Sequence, residues 1–128
     1  MRLILVRHAH SAPGEPDSLR PLSAEGREQA RVLGERLAAA APDVVLTSPL
    51  LRARETAAAI ARAADVEARS DDRLAPGATA EDVMATAEGV GETVVVVGHQ
   101  PDCSEIAAAL GAGEREFAPA GFVEIALP

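Results

Sequence analysis

Three short aliphatic runs with no polar alternation set the terms for this chain: Leu3-Ile4-Leu5-Val6, Val44-Val45-Leu46 and Val94-Val95-Val96-Val97. A strand with one wet face alternates with period two, so an unbroken apolar run of strand length reads as a strand covered on both faces. That condition belongs to parallel sheets sandwiched between helices. Each run also ends in cationic groups. The first gives Arg7-His8, the second Thr47-Ser48-Pro49-Leu50-Leu51-Arg52, and the third Gly98-His99. Ligands of open α/β sheets sit beyond the carboxyl ends of the strands. Three strands would therefore deliver donors to one place, and the donors suit an anion.

The intervening segments support an alternating α/β order. Residues 2–7 read as the first strand, and residues 10–22, with three prolines and a glycine, as a loop of some thirteen residues. Loops of that length in compact domains are usually functional or disordered. Ser23 is a suitable N-cap for a helix running to about residue 40, with Ala30, Leu33, Leu37 and Ala38 on one face and Pro42 closing it. Residues 43–47 form the second strand. Ser48-Pro49 then reads as an N-cap with proline at the first helical position, opening a helix to about Ala64 with Arg52 in its first turn. A short strand over 66–69 and a loop from Asp71 to Gly77 follow. Thr79 with Asp82 three residues on resembles a capping box for a helix to about Glu88. Residues 93–98 make the most apolar strand, Pro101 begins a helix to about Leu110, and residues 122–127 alternate as an edge or antiparallel strand. The expectation is one domain over residues 1–128, a three-layer α/β/α arrangement around a mostly parallel mixed sheet.

Charge narrows the range of partners. The net charge is −8: residues 1–74 hold eleven arginines and eleven acids, whereas residues 75–128 hold one arginine and nine acids. A nucleic-acid surface needs a basic stripe with stacking aromatics. Two phenylalanines, no tyrosine and no tryptophan argue against one. The apolar runs are far shorter than the ~20 residues that cross a bilayer, and the first residues lack the hydrophobic region and small-residue cleavage site expected of a secretory leader. No membrane partner is expected, and the single Cys103 fits a reducing compartment, so a cytoplasmic location is expected.

A phosphoryl group in transfer spreads negative charge over three equatorial oxygens and needs several fixed donors converging on it. Arg7, Arg52 and His99 supply them, since the arginine fork grips two oxygens and keeps its charge. Arg52 also gains from the amides and dipole of its helix's first turn. His8 is the nucleophile candidate. A neutral imidazole attacks phosphorus through one ring nitrogen when the other is held as a donor to a backbone carbonyl. Transfer to His8 and hydrolysis of the phosphohistidine by water complete the cycle. Arginines neutralise the charge in this scheme, so no metal and no cofactor is expected.

Taken together, Arg7-His8-Ala9, Arg20-Pro21-Leu22-Ser23 with Gly26 and Ala30, Ser48-Pro49-Leu50-Leu51-Arg52-Ala53-Arg54-Glu55-Thr56-Ala57, and Gly98-His99-Gln100-Pro101 resemble the ordered signature of the histidine phosphatase superfamily. The short SixA-type phosphohistidine phosphatases are the closest match, and the resemblance spans essentially the whole chain. It implies a phosphoglycerate mutase-like fold, His8 as phosphate acceptor, and Arg7, Arg52 and His99 as the phosphate pocket. Arg20 would lie near the pocket mouth, and Ser48 and His10 are further substrate-binding candidates. Larger members such as the phosphoglycerate mutases carry a general-acid glutamate on a long insertion that this chain has no room for. Glu81 and Asp82 are the nearest candidates for an acid, although the resemblance does not extend to them. The site should be open.

The absence of an acid bears on substrate. An alkoxide needs a proton as it leaves, and positioned acid catalysis is worth ~10²–10⁴ in rate. Imidazole, with a pKa of about 6.5, is protonated by solvent near neutrality. Phosphohistidine on a protein, such as a phosphorelay domain, is therefore the favoured substrate. The alternatives are a phosphatase of small phosphomonoesters, or a catalytically silent module that binds phosphate or a phosphoprotein. His8, His10 and His99 could instead be three zinc ligands, which the nearby arginines disfavour. A cysteine-phosphatase reading of Cys103 would want an arginine where Ala109 stands.

Overall fold

All 128 residues are described by a computed structural model. The elements in chain order are β1 (Arg2–Arg7), α1 (Ala24–Ala38), β2 (Val44–Thr47), α2 (Leu51–Ala64), β3 (Ala68–Ser70), α3 (Ala80–Ala87), β4 (Thr93–Gly98), α4 (Asp102–Ala109) and β5 (Phe122–Ala126). Short 3₁₀ turns occupy Asp17–Leu19 and Asp72–Leu74. The five strands form one sheet in the order β3-β2-β4-β1-β5, parallel throughout except for β5, which pairs antiparallel with β1.

The apolar runs are buried on both faces, and the pleat divides each between two cores. Ile4, Val6, Val45, Val95 and Val97 pack against Leu33 and Leu37 of α1 and Ala53, Ala57, Ile60 and Ala61 of α2. Leu3, Leu5, Val44, Leu46, Val94 and Val96 face the other way, against Val83 and Ala87 of α3 and Cys103, Ile106 and Ala107 of α4. Each aliphatic side chain sealed this way contributes about 1.5–3 kcal/mol. Helices on both faces produce the three layers. In β5, Val123 and Ile125 complete the α3/α4 core while Glu124 and Ala126 stay exposed, so the alternation of the sequence marks a half-covered edge strand.

Both helix caps expected from sequence at Ser23 and Thr79 form. Ser23 Oγ accepts from the Gly26 amide, and Thr79 and Asp82 close a reciprocal capping box. Four boundaries move. Ser48 continues the sheet ladder by donating its amide to Val97 O at 3.0 Å, so Ser48-Pro49 does not cap α2; Leu50 does, and the helix opens at Leu51. The third strand lies at Ala68–Ser70 rather than 66–69, because Val66 still hydrogen-bonds back to Ala61 at the end of α2. The expected Asp71–Gly77 loop contains a 3₁₀ turn capped by Asp71. Pro101 caps α4 rather than beginning it.

Candidate active site

The three strands that end in cationic groups are neighbours in the sheet, in the order β2-β4-β1. Their registers, Arg7 beside Gly98 and Thr47 beside Val97, bring the carboxyl ends level. The chain then leaves the sheet under tight backbone control. The His8 amide donates to Gly98 O at 3.0 Å, and the Ala120 amide donates to His8 O at 3.2 Å. The next residue, Ala9, is fully buried and gives its amide to Thr56 Oγ1 at 3.0 Å. Thr56 in turn donates to Arg52 O at 2.9 Å, so one hydroxyl ties the segment after His8 to the turn of α2 that carries Arg52. Sequence reasoning assigned no role to Thr56, although it stands within the Ser48–Ala57 motif.

His8 and His99 meet edge to face. The Nδ1 of His8 lies 2.7 Å from Ala9 O. A carbonyl can only accept, so Nδ1 carries the hydrogen and Nε2 keeps its lone pair. Burial lowers the His8 pKa below the ordinary 6.5; the Ala9 carbonyl opposes that shift, and the charges of Arg52, Arg7 and Arg20 add to it. His99 is pushed down to about 4, first by burial and then by His8 and Arg52. Both rings are therefore neutral near pH 7. His99 Nε2 is 2.8 Å from Ser48 Oγ.

Arg52, almost wholly buried, donates through Nη1 to Asp17 O at 3.0 Å and through Nη2 to Asp17 Oδ2 at 3.3 Å. Arg20 donates to Asp17 Oδ1, Ser11 Oγ and Ala12 O. Arg7 gives Nη1 to Phe117 O at 2.8 Å, while its buried Nε makes no hydrogen bond within the protein. A buried donor of that kind is costly until an acceptor satisfies it, and an oxyanion is such an acceptor. Asp17, which the sequence reading did not single out, is the acid that reaches this group of cations. Its carboxyl lies below the usual range because Arg20 hydrogen-bonds it and Arg52 lies beside it. The spacing Asp17-x-x-Arg20 in a long loop was the available signal.

Other expected contacts are drawn elsewhere. Ser48 is fully buried, and its hydroxyl serves His99 and the Leu50 amide, so it orients the ring instead of meeting substrate. His10 turns outward. Its Nδ1 is 2.6 Å from Ser23 Oγ and its amide donates to Gln29, an engagement with the start of α1 that separates it from His8 and His99. No group of three histidine, cysteine or acidic side chains is arranged to hold a metal ion, and His10, turned toward Ser23, does not join His8 and His99 in one. The Asp82 carboxylate is consumed by the Thr79 cap, which lowers its pKa and leaves it a poor proton donor. Glu81 is exposed on α3, and neither carboxylate is among the charges acting on His8 or His99. Cys103 is buried with its thiol pushed up to about 12, which leaves it inert. A groove of about 850 Å³ runs between α1 and β5, and Glu25 and Gln29 on its wall engage His10.

Comparison with known proteins shows the family and the fold. Residues 3–76 match the histidine phosphatase superfamily (branch 1). The uncharacterized protein Rv1276c of Mycobacterium tuberculosis is 39% identical over 112 residues, covering 82% of this chain and 69% of that protein. Phosphoserine phosphatase 1 of Hydrogenobacter thermophilus is 37% identical over 83 residues, covering 58% of this chain and 37% of that protein. The structure of the protein histidine phosphatase SixA complexed with tungstate superposes with a TM-score of 0.87 at 27% identity, covering 99% of this chain and 88% of that one. The chain belongs to the histidine phosphatase superfamily, with a SixA-like fold.

Proposed function

We propose that this phosphatase works through a phosphohistidine intermediate on His8 and that its substrate is phosphohistidine carried by a protein. The observation that carries the mechanism is the His8 ring itself: Nδ1 is committed to the Ala9 carbonyl, and Nε2 stays unprotonated at neutral pH. Nε2 attacks phosphorus, the bond to the leaving group breaks with its electron pair, and the phosphoryl group rests on His8. Water then attacks phosphorus, the P–N bond breaks, and inorganic phosphate departs with His8 restored. Arg7, Arg52 and His99 hold the equatorial oxygens, with Arg20 at the mouth. These charges and dipoles are fixed before the reaction and therefore need no reorganisation during it.

The substrate class follows from proton balance. Neither Glu81 nor Asp82 is placed to protonate an alkoxide, whereas an imidazole already protonated on its distal nitrogen leaves as a neutral ring. The similarity to a SixA protein histidine phosphatase supports the same class. Hydrolysis of small phosphomonoesters is the second reading, favoured by the partial match to a phosphoserine phosphatase.

The test is rapid acid-free quenching of the enzyme with labelled aryl phosphate and with a phosphohistidine peptide. The expected result is a base-stable, acid-labile phosphoenzyme, absent in His8→Ala, with the peptide turned over faster than simple phosphomonoesters. A His8→Ala protein that keeps its activity overturns the mechanism. Equal turnover of peptide and alkyl phosphates overturns the substrate class, and no turnover of any of them leaves a binding module.

A further inference from the structure

Asp17 sits where a phosphatase has reason to avoid a carboxylate. A phosphate dianion and the Asp17 carboxylate compete for the same fork on Arg52, and like charges sharing a site disfavour each other. The placement is nevertheless built. The strap from Ser11 to Leu22 closes on itself through pairing of those two residues and through the Ala12 amide to Pro21 O. Arg20 braces it from within by bonds to Ala12 O, Ser11 Oγ and Asp17 Oδ1. Asp17 opens the 3₁₀ turn of the strap, and its main-chain carbonyl is itself bound by Arg52 Nη1, which fixes the residue against the pocket. The carboxylate still faces outward, with 65% of the side chain accessible, toward the solvent from which substrate arrives.

We propose that Asp17 is a specificity-determining residue, its carboxylate held between Arg20 and Arg52 to favour substrates whose leaving group is cationic over substrates bearing a second anion. The inference rests on the phosphatase reading above and deepens it. In phosphohistidine the ring must carry a proton on its distal nitrogen before the P–N bond breaks. The bonding pair then returns to the ring nitrogen, imidazole leaves neutral, and the phosphoryl group passes to His8 Nε2 with no proton taken from the protein. An opposite charge close by favours the protonated form of a titrating group, so Asp17 raises the share of substrate ready to leave. A substrate with its own carboxylate, such as 3-phosphoglycerate, meets repulsion at the same point.

Asp17→Asn keeps the size and an acceptor for the arginines and removes only the charge, while Asp17→Glu keeps the charge. Three quantities are measured on folded protein: kcat/KM for a phosphohistidine peptide, kcat/KM for a neutral aryl phosphate, and Ki of 3-phosphoglycerate against aryl phosphate hydrolysis. For Asp17→Asn the peptide kcat/KM falls about fivefold relative to aryl phosphate, and Ki falls by a similar factor, the range expected for an exposed charge pair. Asp17→Glu retains the wild-type ratios. A uniform fall on both substrates with Ki rising means that Asp17 only props Arg52, and overturns the proposal; unchanged ratios in Asp17→Asn overturn it too. A wild-type enzyme that hydrolyses aryl phosphate but not the peptide removes the substrate reading and this inference together. Peptide turnover indifferent to Asp17 removes the inference alone.

Discussion

His8 and His99, far apart in the chain, stand edge to face with ring centroids 5.1 Å apart and planes at 62°. Burial disfavours a proton on either ring, Arg52, Arg7 and Arg20 repel one on His8, and His8 and Arg52 repel one on His99, so both pKa values are lowered. For a nucleophile the useful form is the neutral one. The acid limb of kcat/KM should therefore lie below the ordinary imidazole value of about 6.5. A pH profile on aryl phosphate checks this, and a limb centred at or above 6.5 contradicts it.

The same shift bears on stability. In the unfolded chain His99 takes up its proton near 6.5, whereas in the fold it does so only near 4. Between those values the unfolded state binds more protons, so stability holds above about 6.5 and declines as pH falls toward 4. Below that the contribution of His99 levels off. Thermal melts between pH 7 and 4 should show a shallower decline for His99→Asn than for the wild type, and parallel curves would rule out this linkage.

Ser48 orients a ring, and its removal should register as such. Ser48→Ala leaves His99 Nε2 and the Leu50 amide without their shared partner, a cost of about 1–3 kcal/mol where a buried group is stranded. Activity on aryl phosphate should drop about tenfold through kcat as the ring loses its fixed angle. A variant with wild-type kcat would show that His99 is held by other means.

Gly26 bears on the nucleophile's segment through space. A Cβ there would overlap the His10 carbonyl oxygen, so either the start of α1 or the His8–His10 segment must move. Overpacking of this kind costs about 1–3 kcal/mol. Gly26→Ala should lower Tm and reduce kcat, while Gly14→Ala, whose added Cβ makes only an ordinary 3.7 Å contact with Arg20, should do neither. Equal behaviour of the two variants would refute the close approach.

Much of the fold was legible because burial writes itself into apolar pattern. Three unalternating runs became β1, β2 and β4, and the alternating Phe122–Ala126 became the antiparallel edge. The caps at Ser23 and Thr79 were readable because they depend on local spacing. Ser48 misled for the opposite reason: its residue type suits a cap, but its amide was already committed to Val97 in the sheet and its hydroxyl to His99. Asp82 was similarly absorbed by a local cap that its spacing had announced.

The sequence by itself determined which strands are buried and which residues end them, because hydrophobic period and strand termini are local properties. It named His8, Arg7, Arg52 and His99 as candidates on those grounds. Only the tertiary structure decided how they are held. The tautomer of His8, the anchoring of His99 by Ser48, the Thr56 link and the Asp17 carboxylate on Arg52 are contacts between segments distant in the chain. Their geometry depends on sheet order and register, which bring strand ends together in three dimensions.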